Sequence, residues 1–192
     1  KVLKKVLARQ FAAKGEGVVA ANHLAAQKGY DHVQVACRDI CHWRLPGSSG
    51  KYYLMPANRT IPLAAVYSGC RFMAAYPMSP STEIITYLAA NEDRFGIFTE
   101  QAEDEIAAIN MAIGASFAGA RAMTATSGGG FALMVEGISL AGMMEAPVVI
   151  ILAQRPGPAT GLPTRTAQGD LLFAVNAGHG EFPKMVLAPA DA

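Results

Sequence analysis

Between residues 72 and 153 short apolar runs alternate with longer stretches of helical spacing, and this alternation limits the chain to very few folds. FMAA (72–75), IFTEQ (97–101), ARAMTATS (120–127) and PVVIILA (147–153) have strand length and are rich in apolar or β-branched residues. Between them lie STEIITYLAANEDRFG, AEDEIAAINMAIGASFAG (102–119) and GGGFALMVEGISLAGMME (128–145), whose apolar residues recur at helical intervals. A further helix over DLLFAVNAG (170–178) and a last strand over KMVLA (184–188) are expected to follow. Strands joined by helices of this length cannot form hairpins; they make βαβ units and a parallel sheet covered on both faces. The expected class is α/β, a doubly wound parallel sheet. At 192 residues the chain can bury roughly 70% of its unfolded surface, enough for such a core.

The first fifty residues read differently. KVLKKVLARQFAA (1–13) and VVAANHLAAQKG (18–29) are helical, and LPGSSGK (45–51) is a linker of turn residues without periodicity. Two parts are therefore expected, a mainly helical segment over 1–50 and the sheet domain over 51–192. The chain starts in mid-helix without Met and stops at LAPADA, so a fragment of a longer protein is expected. A net charge of +1 gives no cause to expect nucleic acid or an anionic membrane as partner. The most apolar stretch (131–153) is interrupted by Glu136, Glu145 and Pro147, too often for a membrane span. Three cysteines, an odd number, argue for a reducing compartment rather than a disulfide framework, and a cytoplasmic protein is expected.

In an open parallel sheet the chemistry resides where strands end and helices begin. YPMSPSTEI (76–84) ends a strand with two prolines around Ser79 and then adds hydroxyls and a glutamate; it reads equally as a capped helix start and as a ligand corner. TEQAEDE (99–105) sets Glu100, Glu103, Asp104 and Glu105 at a helix N-terminus, where acidic side chains are favourable in any case. Spacing alone does not say which of them faces the crevice. TSGGGFAL (126–133) opens a helix with three glycines, fit either to cradle an anion or to pack close to the sheet, and lacks the G-K-[ST] of a phosphate loop. AQRPGPATGLPTRTAQGD (153–170) is long, proline-rich and carries Arg155 and Arg165, residues suited to carboxylates.

Other signals carry less. GEGVVA (15–20) fits a dinucleotide fingerprint but follows a helical pattern where a strand is required. CRDICH (37–42) has one residue too many between its cysteines for haem attachment, and Cys37 and Cys41 read as structural thiols on one helical face. His23, His32 and His179 stand alone, and no metal-ligand set is expected.

Taken together, YPMSPSTEI, EQAEDEIAAINMAIGASFAGARAMTATSGGGFALMVEGISLAGM and AQRPGPATGLPTRTAQGDL closely resemble the alpha subunit of 2-oxoacid:ferredoxin (acceptor) oxidoreductases, the pyruvate and 2-oxoglutarate family. The resemblance runs through 51–192, and FAAKGEGVVAANHLAAQKGYDH resembles the tail of the gamma-type domain fused ahead of it in many such subunits. It implies the pyrimidine-binding domain of a thiamine diphosphate enzyme, oxidatively decarboxylating a 2-oxoacid to acyl-CoA and CO2. The family's carboxylate that bonds the aminopyrimidine ring maps to Glu103, and the hydroxyl of its YPITP corner to Ser79. The resemblance further implies Tyr76, Pro77, Ser127 and Gly128 at the cofactor, with Arg155 and then Arg165 at the substrate carboxylate. Two departures stand out. Where the family has GNEAIALGA this chain has ANRTIPLAA, with Arg59 and with a Pro62 that only a first helical turn tolerates, and Met78 and Ser79 stand where Ile and Thr are common.

The chain has no GDG…N motif for Mg²⁺ and diphosphate, QGDLL (168–172) being the nearest string, and no cysteine set for an iron–sulfur cluster. The resemblance thus implies a partner beta subunit holding the diphosphate, Mg²⁺ and a [4Fe–4S] cluster, with coenzyme A and ferredoxin as further partners. Without the resemblance the residues favour a non-catalytic α/β module, nucleotide-binding or regulatory, with an anion at 127–130.

Overall fold

The computed structural model describes residues 2–38, 53–157 and 169–189, and they divide into two compact units, Lys1–Tyr52 and Tyr53–Ala192. The first is a pair of helices, α1 (Val2–Phe11) and α2 (Glu16–Ala36), joined by a 3₁₀ turn and by Gly15 at φ 93°, a value glycine adopts without strain. His23 Nε2 lies 2.7 Å from the carbonyl of Lys4 and ties one helix to the other. Linker residues 45–51 and Cys41 lie outside the described residues.

The second unit runs α3 (Ala57–Tyr67), β1 (Phe72–Ala75), α4 (Thr82–Ala89), α5 (Glu92–Phe95), β2 (Phe98–Gln101), α6 (Glu105–Phe117), β3 (Ala122–Ser127), α7 (Gly128–Leu133), α8 (Val135–Met143), β4 (Val148–Ala153) and α9 (Leu171–Asn176). The strands form one sheet in the order β2-β1-β3-β4, every pair parallel. The single reversal of direction across the sheet places α4 on one face and both α6 and α8 on the other. Met73, Ala75, Met123 and Ala125 pack with α4 and Cys70 on one side. Ala74 packs with α6 and α8 residues such as Ile109, Ile113 and Ile138 on the other. The alternation of Met73, Ala74 and Ala75 between the two clusters is the period of two that a strand buried on both faces imposes. Burial pushes the Cys70 thiol pKa up, as expected of an inert core cysteine.

The structure departs from the sequence expectations in several places. STEIITYLAANEDRFG, expected as one helix, is two, α4 and α5. The helix read over 128–145 is two, broken at Met134, whose side chain is fully buried. Residues 184–188 form no strand: Met185 and Leu187 are exposed, and none of the described strands pairs with the segment. Just before it, the ring of Phe182 fills the space that side chains on Gly142 and Gly178 would need. Pro62 lies in the second turn of α3, beyond the first-turn position. Its ring is fully buried, which offsets the lost N–H bond. No helix among the described residues is long and apolar enough to cross a membrane.

Candidate functional site

The sheet is open at one place. β1 pairs with β2 along all its residues, Phe72 to Ala75, and β3 with β4 from Ala122 to Ser127, but β1 and β3 pair only at Phe72–Ala122 and Met73–Met123. Beyond Met73 these two strands part, so their carboxyl ends diverge. They are also the strands at which the order reverses, the position where open α/β sheets bind ligands.

Three corners surround the gap. Past β1, Tyr76 is 39% exposed and Pro77 half-buried, and the Ser79–Pro80 peptide is cis. Ser81 closes this turn, donating its hydroxyl (2.7 Å) and its N–H (2.9 Å) to the carbonyl of Met78. Past β3, Ser127 is fully buried, and its Oγ has no hydrogen-bond partner among the described residues. Past β4, Arg155 is half-buried and donates Nε–H to the carbonyl of Ser79 (2.8 Å), bridging the outer corners. The substrate pair expected from sequence, Ser79 and Arg155, is thus brought together, through the serine's carbonyl rather than its hydroxyl. Arg165 lies outside the described residues.

The acidic corner resolves into separate roles. Asp104 is the N-cap of α6, its carboxylate accepting the N–H of Ala107 at 2.7 Å. Glu103 is exposed and precedes the helix. Glu105 is only 3% exposed, and its Oε1 finds no hydrogen-bond partner among the described residues. A carboxylate in that condition is expensive, so it marks a group retained for something other than stability. Its burial follows from helical spacing: Glu105, Ala108, Ile109, Ala112, Ile113 and Ser116 form the buried stripe of α6. Extending that stripe back to 105 is the signal by which sequence alone could have found it.

Gly130 faces Glu105. A Cβ there would overlap Thr126 Oγ1 and sit 2.5 Å from Glu105 Oε1, so two oxygens share the space beside the glycine. Gly128 has a similar neighbour, the carboxylate of Asp170, with Oδ1 at 2.5 Å from a would-be Cβ. At least two of the three glycines in TSGGG are therefore present for close approach by side-chain oxygens. Among the described residues no group of His, Cys, Asp and Glu is arranged to hold a metal.

A doubly wound parallel sheet, parted at its reversal point and rimmed by an arginine and a buried carboxylate with one oxygen unpaired among the described residues, defines a cofactor-binding α/β domain. Residues 63–192 match the family described as pyruvate flavodoxin/ferredoxin oxidoreductase, thiamine diphosphate-binding. The chain belongs to that family.

The 2-oxoacid:ferredoxin oxidoreductase 1 subunit alpha of Sulfurisphaera tokodaii is 46% identical over 184 residues, 88% of this chain and 28% of that protein. The 2-oxoglutarate synthase subunit KorA of Archaeoglobus fulgidus is 50% identical over 138 residues, 72% of this chain and 40% of that protein. Among solved structures, a 2-oxoglutarate:ferredoxin oxidoreductase from Magnetococcus marinus with 2-oxoglutarate, coenzyme A and succinyl-CoA bound superposes with a TM-score of 0.72. It is 42% identical, and the match covers 94% of this chain and 32% of that one. The chain thus spans between 28% and 40% of the length of these relatives.

Proposed function

We propose that this chain supplies the pyrimidine-binding half of an active site in the alpha subunit of a thiamine diphosphate-dependent 2-oxoacid:ferredoxin oxidoreductase. The assembled enzyme oxidatively decarboxylates a 2-oxoacid of the 2-oxoglutarate or pyruvate class to acyl-CoA and CO2. A partner beta subunit holds the diphosphate, Mg²⁺ and a [4Fe–4S] cluster, and passes electrons to ferredoxin. The setting is cytoplasmic, in keeping with Cys37 and Cys70 as free thiols.

The observation that carries this reading is that Oε1 of buried Glu105 at the N-terminus of α6 and Oγ of buried Ser127 at the end of β3 have no hydrogen-bond partner among the described residues. Both fit an aminopyrimidine, a ring offering N–H donors and nitrogen acceptors in one plane. We assign the carboxylate role to Glu105 in place of the exposed Glu103, because only a group withdrawn from water holds a proton against a ring nitrogen without solvent competing. Thiamine diphosphate, when bound, supplies the electron sink for the carbon that loses CO2. The protein's part is to bind and orient. Gly130 leaves room beside Glu105, Ser127 and Gly128 form the floor, and Tyr76 and Pro77 supply an apolar wall at the β1 corner. Arg155, its Nε held by Ser79, presents a guanidinium suited to a carboxylate, and Arg165 follows it in the same proline-rich stretch of sequence.

The test is to produce the full-length subunit with its partner and follow reduction of a low-potential dye. Reduction is expected to require a 2-oxoacid, coenzyme A and thiamine diphosphate together. A complex loaded with cofactor and cluster that reduces dye with none of a panel of 2-oxoacids would overturn the proposal.

A further inference from the structure

Asp170 breaks a local rule. It stands at the N-cap of α9, where an aspartate ordinarily turns its side chain onto its own helix, yet it makes no such cap bond. Its carbonyl starts the helix, accepting the N–H of Ala174 at 2.8 Å, while its carboxylate points away and accepts the backbone N–H of Arg155 at 2.9 Å. The carbonyl of Arg155 in turn accepts the N–H of Gly169 at 3.1 Å. β4 and α9 are thus joined by two bonds at a neck through which the chain leaves after Arg155 and returns at Gly169. Asp170 is 9% exposed, and its Oδ1 lies 2.5 Å from where a Cβ on Gly128 would be. One short side chain therefore touches the β4 corner and the β3 corner together, and Arg155 carries the connection on to the β1 corner through the carbonyl of Ser79.

We propose that Asp170 is a positioning residue: it fixes the backbone of Arg155 so that the guanidinium spans the mouth of the crevice, and Gly128 is glycine because the Asp170 carboxylate occupies the space of a side chain. The aspartate acts as an acceptor of fixed reach, not as a charge toward substrate. The bond to Ser79 uses Nε and neither terminal nitrogen of the guanidinium, which suits a fork held by its stem. Freed from Asp170, the Arg155 backbone loses its anchor at the neck, and a displacement of about 1 Å in a positioning group is enough to cost ~10²-fold.

The inference rests on Arg155 taking the substrate carboxylate, so Arg155→Ala is measured beside it in the full-length complex. Arg155→Ala is expected to raise KM for the 2-oxoacid. Asp170→Ala is expected to raise it by roughly tenfold to a hundredfold, with kcat changed by less than about threefold and thiamine diphosphate affinity intact. Asp170→Asn keeps an oxygen to accept the Arg155 N–H and is expected to restore KM to within about threefold of wild type. Gly128→Ala, which drives a methyl into the carboxylate, is expected to reproduce the Asp170→Ala rise, and it decides the matter if Asp170→Ala does not fold.

A raised KM in Arg155→Ala with an unchanged KM in Asp170→Ala or Gly128→Ala overturns the positioning role and leaves the substrate reading standing. Equal damage from Asp170→Asn and Asp170→Ala overturns it too, because the charge then matters and not the acceptor. An unchanged KM in Arg155→Ala overturns the substrate reading of Arg155, and the inference with it.

Discussion

Changing Glu105 to Gln is expected to move stability and activity in opposite directions, and the size of each effect follows from where the carboxylate lies. Glu105 is 3% exposed with one oxygen unpaired among the described residues, a condition that costs ~1–3 kcal/mol. As the first residue of α6 it recovers ~0.3–1 kcal/mol from the helix N-terminus. The burial penalty wins, leaving the carboxylate about 0.5–2 kcal/mol worse than a neutral side chain of the same shape. A Gln amide has a further advantage, since Thr126 Oγ1 shares the space beside Gly130 and accepts hydrogen bonds. For a chain of this size the gain corresponds to a rise in Tm of roughly 1–8 °C. Turnover in the assembled enzyme is expected to fall by ~10²–10⁴, the range for a lost acid–base group. Glu103→Gln, on the exposed residue two positions earlier, is expected to change neither. Thermal melting of the chain and dye-reduction turnover of the complex measure the two effects. Undiminished turnover in Glu105→Gln, or abolished turnover in Glu103→Gln, would refute the assignment, and a lowered Tm would refute the burial argument.

Two further outcomes follow from local geometry. Glu145, just past α8, holds φ at 53°, in the left-handed region that favours glycine; Glu145→Gly is expected to stabilise by about 1 kcal/mol, and an unchanged or lowered Tm would contradict this. Glu92 accepts the hydroxyl of Thr99 and its N–H (2.6 Å), which holds the Glu92 carboxyl below the usual range. Its folded pKa lies under its unfolded one, so its stabilisation is present above the ordinary glutamate range of about 4.3 and lost as pH falls through the folded value. Between about pH 5 and 3 the denaturant midpoint of Glu92→Gln is expected to fall less steeply than that of wild type, and parallel slopes would count against the bond.

How much of this could be read in advance divides along the range of the interactions. The four paired strands and the helical character of the stretches between them were legible because each is fixed by its own periodicity: VVIILA and MTATSGG say strand and turn whatever surrounds them. The corners at 76–80, 127–130 and 155 were legible too, because prolines, glycines and an arginine at strand ends have few other uses. KMVLA misled because strand propensity is a fit to a neighbour, and none of the described strands provides one. The choice between Glu103 and Glu105 depended on phase, which the buried stripe of α6 contained and which the resemblance did not supply. Asp170 was invisible for a different reason. Its partners lie 15 residues away at Arg155 and 42 at Gly128, and no local pattern encodes either contact.

The unpartnered oxygens are distributed unevenly, and the distribution itself argues for a site completed from outside. Five buried side-chain oxygens lack partners among the described residues: Asn58 Oδ1, Glu105 Oε1, Thr124 Oγ1, Ser127 Oγ and Gln154 Oε1. Thr124 lies within β3, and Asn58 lies in the first turn of α3, which precedes the first strand of this unit, but Glu105, Ser127 and Gln154 all lie at or just past the carboxyl end of a strand, along one edge of the sheet. Were they misfits of packing, exchange for apolar residues would cost nothing, and each exchange would relieve ~1–3 kcal/mol. A chain that keeps them along one edge, beside the only described place where neighbouring strands part, holds acceptors ready for donors that the described residues do not supply. Such a rim keeps stability low until it is filled, so a ligand supplying those donors should raise the melting temperature of the assembled protein by more than its affinity for the empty-rimmed variant Glu105→Gln would allow. Equal thermal shifts in wild type and Glu105→Gln at saturating thiamine diphosphate would show that the rim's largest acceptor takes no part in binding.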